Sequence, residues 1–258
     1  MRNNSSSLRR ALTILDVVAS VAGREKGTSL AELAEGAETT KSTVLRLIAP
    51  LIDQRLVRQD ADGTYRMGIG ALALAGACLA DLDIRSTAQP TLREIADTTG
   101  QTVHLLVYSD RRVTYVDKVA GASPIQMASR IGDTGTAYST ASGKAMLAYL
   151  GDAEFERVVA LGLTPRTPST ITDPAELRSH LASVRDRGCA YDDLENEQGI
   201  RCVAAPVFNH SGECVCAVSI SGPADVIVAN RDQYTKHIVT GAQRISHELG
   251  HDISEWQI

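Results

Sequence analysis

Apolar residues recur at helical spacing along the first part of the chain. Leu8, Leu12, Leu15, Val18, Ala19 and Ala22 mark an amphipathic helix ending near Gly23. Leu30, Leu33 and Ala34 mark a shorter one, with Thr28 or Ser29 as its cap and Gly36 as its break. Thr39 and Thr40 offer the next cap, before Val44, Leu45, Leu47, Ile48, Leu51 and Ile52. Pro50 lies inside this third helix, where a missing donor and a crowded ring predict a bend or early loosening. Two short extended runs follow, Leu56–Gln59 and Thr64–Met67, around Asp62-Gly63, a pair suited to a type I′ turn. Helix, turn, helix, hairpin is the order of a winged helix-turn-helix, although the same order also occurs in domains that never touch DNA. What favours the DNA reading is the polar side of the third helix, with Lys41, Ser42, Thr43 and Arg46 opposite its apolar stripe.

The pattern then changes twice. Ile69–Leu82 is apolar nearly all round, which predicts a helix buried on several sides, against a second copy of the chain. From Ile84 the texture is mixed. Residues 84–99 read as a helix interrupted at Pro90. Thr102–Tyr108 and Arg112–Val119 read as a hairpin through Ser109-Asp110, and Pro124–Ser129 as a further strand. Residues 130–138 read as a loop. Helices are expected over Ser139–Leu150, Asp152–Leu161, residues 173–187 and Arg231–Leu249. Strands are expected over Cys189–Asp193, Gly199–Phe208 and Glu213–Ser221. The fold class is therefore α+β. An antiparallel sheet with helices on its faces is, by fold analogy alone, a GAF-like small-molecule sensor. The expected boundaries are a winged helix-turn-helix domain over 1–67, a linker and dimerisation helix over 68–83, and an effector domain over 84–258.

Charge sharpens this division. Residues 1–67 carry 10 Lys+Arg against 8 Asp+Glu, and the remainder 16 against 23. A slightly basic head on an acidic body suits contact with double-stranded DNA by the head alone. The opening residues lack an apolar core region, and the longest nearly apolar run, Gly68–Ala80, is shorter than the roughly 20 residues of a membrane span. We therefore expect a cytoplasmic protein, without membrane contact, whose five cysteines are reduced thiols.

Other motifs compete for a function. His247-Glu248-Leu249-Gly250-His251 is an HExxH pattern, the mark of a helical zinc hydrolase. No suitable third ligand follows except Asp252 and Glu255 near the end, and Gly250 interrupts the helix. Cys214 and Cys216 on one strand, with Cys202 on its neighbour, could form a thiol cluster for metal or redox sensing, although small buried cysteines are commoner. Gly143-Lys144 lacks the glycine and hydroxyl of a phosphate loop, and Ser142 lacks the first glycine of a nucleophile elbow. No catalytic residue, metal or cofactor is expected. Ser219 and Ser221 lie two apart on a strand and face one side.

Taken in order, SLRRALTILDVVA, TSLAELAEGAETTKSTVLRLI, GKAMLA at 143–148, RGCAYDD at 187–193, GIRCVAAPVF at 199–208 and VSISGP at 218–223 resemble the IclR family of bacterial transcriptional regulators. The resemblance covers nearly the whole chain from Leu8. It implies an N-terminal winged helix, a dimerising linker helix and a C-terminal effector domain. It also implies a ligand-controlled repressor of a catabolic operon, working as a dimer or tetramer. The DNA-contacting set it supports is Ser29, Thr40, Lys41, Ser42, Thr43 and Arg46. Asp192, Ile200, Cys202, Ser219 and Ser221, with the backbone amides at Ala141 and Ser142, match positions that line the family's effector pocket. The implied effector is a small carboxylate, such as a keto or hydroxy acid or an aromatic acid. Two departures stand out: Arg55, where members often have glycine, and Pro50. The rival readings are the zinc hydrolase and a sensor module without DNA binding.

Overall fold

The computed structural model describes residues 6–21, 25–81, 83–123 and 127–252. The chain divides into two compact units, Met1–Leu82 and Asp83–Ile258.

The first unit begins with helix α1 (Ser6–Ser20), followed by α2 (Leu30–Gly36) and α3 (Lys41–Asp53). Strands β1 (Val57–Gln59) and β2 (Tyr65–Met67) form the antiparallel wing, and α4 (Gly70–Asp81) ends the unit. Ile14, Val18, Leu33, Val44, Ile48, Val57 and Tyr65 close a small core. The buried side of α1 is thus Ile14 and Val18, while Leu8 and Leu12 of the expected stripe are exposed. Ser29 caps α2 in a reciprocal box with Glu32. Thr28 instead pairs with Tyr65 as an isolated bridge beside the wing. Gly36 does not break α2 but completes it. A Cβ there would lie 2.7 Å from Val17 Cγ2, so glycine lets α1 approach. The reversal falls to Glu38, at φ +46°.

Thr40 caps α3 by accepting the Thr43 N–H. The helix runs through Pro50 to Asp53, so the expected early loosening does not occur. It is closed by Arg55 at φ +57°, with the Leu56 N–H returning to the Leu51 carbonyl at 2.8 Å. In the wing, Asp62 does not adopt positive φ, so the turn is not type I′. The Gly63 N–H closes onto the Asp60 carbonyl at 2.9 Å, and Gly63 alone, at φ +83°, takes the left-handed step. On and before α4, Ile69, Leu72 and Leu74 are exposed. Leu82 of the expected linker lies outside the described residues.

The second unit is one six-stranded antiparallel sheet, ordered β5-β4-β3-β8-β7-β6. These strands are β3 (Thr102–Ser109), β4 (Arg112–Val119), β5 (Thr134–Thr136), β6 (Ala190–Asp193), β7 (Ile200–Phe208) and β8 (Cys214–Pro223). Helices α5 (Ile84–Thr99) and α10 (Arg231–Glu248) pack together against the sheet, and short α9 (Ala224–Ala229) follows β8. Helix α6 (Ala141–Leu147) covers the opposite face, backed by α7 (Asp152–Ala160) and α8 (Pro174–Arg187). Alternation along the strands puts Leu106, Ala190, Ala204 and Ala217 under α6. These small side chains admit the helix closely. Gly143 does the same on the other side, where a Cβ would lie 2.4 Å from the Ala137 carbonyl oxygen.

Several expectations change here. α5 is continuous through Pro90, from its Asp83 cap to Gly100 at φ +68°. The β3–β4 turn is Asp110-Arg111, both at positive φ, which is the type I′ signature without a glycine. The run 130–138 contains strand β5, paired with β4. Residues 124–126 of the expected strand fall outside the described residues, and 127–130 have no regular structure. α6 is shorter than the segment Ser139–Leu150, and α9 was not anticipated.

Candidate DNA-reading face and effector cavity

On α3, Lys41, Ser42, Leu45 and Arg46 are exposed on one side, while Val44, Leu47 and Ile48 turn into the core. Leu45 therefore belongs to the polar face and not to the apolar stripe. A strong 3.6-residue period hides such a residue, because leucine reads as core whichever way it points. Thr40 and Thr43 hydroxyls lie 3.0 Å apart, and Thr40 is also 3.0 Å from the Ser42 hydroxyl. Ser29 and Thr40 thus spend their side chains on capping, and Lys41, Ser42 and Arg46 are the freer groups. The wing adds Arg58 and Arg66, direct cross-strand partners that share Asp60; Arg66 Nε is 2.9 Å from its carboxylate. Neither arginine figured in the sequence expectation, since a two-residue register is not visible before the hairpin is placed.

In the second unit, β3, β8, β7 and β6 bring their α6-facing residues to a cavity of about 220 Å³. This is small beside the roughly 300–1,000 Å³ of drug-sized sites. Of the residues named for the effector site, Asp192, Ile200, Cys202 and Ser221 line it. Cys202 pairs with Ser221 across the ladder and with Asp192 on the other side, so one register line carries three of the four. Ser219, Ala141 and Ser142 are buried and are not among the described lining residues. α6 seats on Ala204 and Ala217 there and closes the space. Its first turn is capped within the chain, with the Gly143 N–H bound to Thr140 Oγ1 at 3.1 Å.

The sequence expectation omitted His104, Tyr115, Ser129, Asn196 and Glu197, all of which line the cavity. His104 Nε2 is 2.8 Å from Ser129 Oγ, its Nδ1 is 3.4 Å from Ser221 Oγ, and its ring meets Tyr115 edge-on. Burial, helped by the nearby Lys118 charge, pulls its pKa down to about 3, so the ring is neutral. Lys118 Nζ donates to the carbonyls of Met127 (2.5 Å) and Ser129 (2.8 Å), fastening that strap beside the site. Burial pushes Asp192 up to about 7, against the pull of Lys144 and of two backbone amides. Behind the wall, fully buried Lys144 donates to Glu195. Burial drives both members of this pair toward their neutral forms, and their mutual attraction opposes it.

The competing motifs come apart. α10 ends at Glu248, Gly250 takes φ +84°, and His251 stacks on Phe208, so the helical geometry that HExxH requires stops inside the motif. A register shift between Val207 and Phe208 breaks the alternation between Cys214 and Cys216. Cys202 lies five residues along β7 from the Cys216 partner, roughly 16 Å away at strand rise. The alternative of a thiol cluster is therefore not assembled. Cys189, Cys202, Cys214 and Cys216 are free thiols. Among the described residues, no group of three or more His, Cys, Asp or Glu is placed to hold a metal ion. Nor is any helix among them long and apolar enough to cross a membrane.

A winged helix with an exposed polar face, in one chain with a sheet unit that carries a small polar cavity, is the arrangement of a regulator of transcription. Residues 7–61 match the IclR helix-turn-helix domain, and residues 76–247 match the bacterial transcriptional regulator IclR C-terminal domain. The chain belongs to the IclR family. It is 36% identical to the HTH-type transcriptional regulator XynR of Escherichia coli, over 83% of this chain and 85% of that one. It is 30% identical to the transcriptional repressor IclR of Escherichia coli, over 95% and 90%. The crystal structure of the Agobacterium tumefaciens repressor BlcR superposes with a TM-score of 0.80 at 30% identity, covering 97% of this chain and 99% of that one.

Proposed function

We propose that this protein is a cytoplasmic, dimeric repressor of a catabolic operon, released from its operator by a small organic acid. The observation that carries the reading is the exposed N-terminal half of α3, where Lys41, Ser42 and Arg46 flank Leu45, above a closed apolar core. Lys41, Ser42, Thr43 and Arg46 would enter the major groove, with Arg46 and Ser42 reaching base edges and Leu45 meeting a thymine methyl. Ser29 and Thr40 would set the helix starts that face the phosphates. Repressors among its relatives support the direction of control. In the second unit, Asp192, Ile200, Cys202 and Ser221 would touch the effector, with Ser219 and the first turn of α6 at Ala141–Ser142 bounding the site.

Fluorescence anisotropy with DNA from upstream of this gene and its neighbours tests the reading. Arg46→Ala and Ser42→Ala should each weaken sequence-selective binding by about 1–3 kcal/mol if the side chain reads a base. Absence of any selective complex from folded protein would overturn it. The combined change Ser219→Ala and Ser221→Ala should blunt the response to effector, with operator affinity in the absence of effector read in the same titration.

A further inference from the structure

The organic-acid reading meets a difficulty in the cavity itself, because an anion would find no cation there. Among the described lining residues there is no Lys or Arg, and two of them, Asp192 and Glu197, are carboxylates. The Lys144 ammonium is behind the wall and donates to Glu195. The Lys118 ammonium is held by the carbonyls of Met127 and Ser129. A ligand carboxylate set beside an ionised Asp192 would place like charges together at a residue that is itself buried. Carboxylates that share such a site keep a proton between them.

We propose that Asp192 receives the effector's carboxylate as a neutral acid, so that the anion and one proton enter the cavity together. The inference rests on the reading of the effector as an organic acid. Its geometric basis is the division of labour between the two Asp192 oxygens. Oδ1 accepts the backbone N–H groups of Glu195 at 2.8 Å and Asn196 at 3.2 Å. Among the described residues, Oδ2 makes no hydrogen bond, and it is the oxygen left to carry an O–H toward a ligand. The residue is only 3% exposed, so water does little to stabilise its charge.

The groups that face Asp192 fit this assignment. Lys144 on α6 favours the ionised form, while Glu195 on the turn disfavours it, and burial outweighs the cation. Glu197 from the same turn adds a second negative charge to the lining. Cys202 on β7 and Tyr115 on β4 are both raised by burial and stay neutral, and His104 on β3 is already neutral. The free Asp192 titrates at about 7, and a bound anion raises it further. Carboxylate affinity should therefore be greatest below about pH 7 and fall above it, approaching tenfold per pH unit for one coupled proton.

Calorimetry on the full-length protein tests this with pyruvate, lactate and benzoate, each against its uncharged amide. Titrations run between about pH 6 and 8.5, in buffers of high and low ionisation enthalpy. A binding carboxylate should take up close to one proton at the alkaline end, and an amide none. The Asp192→Asn variant, whose carboxamide is always neutral, should bind the same carboxylate without proton uptake and with a flat pH profile. Carboxylate binding without proton uptake by the unaltered protein overturns the inference and leaves the organic-acid reading standing, whatever the variant does. Binding by the amides alone, or by no member of the panel, overturns the organic-acid reading and the inference with it.

Discussion

Four turns among the described residues place a side chain where glycine is the easier choice: Glu38 after α2, Arg55 after α3, Asp110-Arg111 between β3 and β4, and Leu194 after β6. A left-handed conformation costs an L-residue roughly 1–2 kcal/mol, part of which glycine returns through its freer unfolded chain. Arg55→Gly should therefore stabilise the protein by roughly 0.5–1 kcal/mol, seen as a higher urea midpoint with unchanged slope. His104 makes a different demand. Its ring titrates near 6.5 when unfolded but at about 3 when folded. Its contribution is thus complete above about pH 6.5 and is lost as pH falls toward about 3, since acid protonates only the unfolded chain in that window. Asp192 has the opposite sign: its folded form holds a proton from 3.8 up to about 7, and that contribution fades as pH rises through about 7. His104→Gln should flatten the acid side of the stability profile, checked by urea midpoints at a series of pH values.

At the scale of elements, helices with a cap, a period and a stop were legible. Residues 173–187 had Asp173-Pro174 at one end and Gly188 at the other, and α8 follows them closely. The prolines misled, because Pro50 and Pro90 look like breaks in sequence. Each removes only one donor, and packing of α3 and α5 along their length outweighs it. The C-x-C pair misled for a related reason: alternation holds only while the ladder stays in register, and a bulge cannot be seen in one strand alone. The cavity was legible where its residues sit on strands with a family match, as Asp192, Cys202 and Ser221 do. His104 was not, because its role depends on β3 pairing with β8 across more than a hundred residues. Capping also separates stability from reading in α2 and α3. Ser29→Ala should cost about 1 kcal/mol of stability by losing the reciprocal box with Glu32. Ser42→Ala should leave stability unchanged and affect only DNA affinity. Thermal melts and anisotropy on the same two variants would reveal any mixing of the roles.

At the scale of the whole molecule, the chain divides between Leu82 and Asp83, just after α4. The same stretch carries the argument for self-association. Ile69, Leu72 and Leu74 are each more than 60% exposed, and Leu72 and Leu74, two apart on α4, point to different sides of the helix. Leu8 and Leu12 add exposed apolar surface on α1 of the same unit. We propose that a second copy of the chain covers these exposed apolar groups. Dimerisation would also resolve the weak charge of the head, since two copies present twice the cations of Lys41, Arg46, Arg58 and Arg66 to one duplex. Changing Leu72→Lys together with Leu74→Lys should give a folded monomer by sedimentation. Operator affinity should fall because one half-site is then read at a time. The slope of log affinity against log salt should drop to about half, since it counts the phosphates neutralised. A monomer that retained the full salt slope would show that one copy makes all the phosphate contacts, and the dimer would have no part in reading DNA.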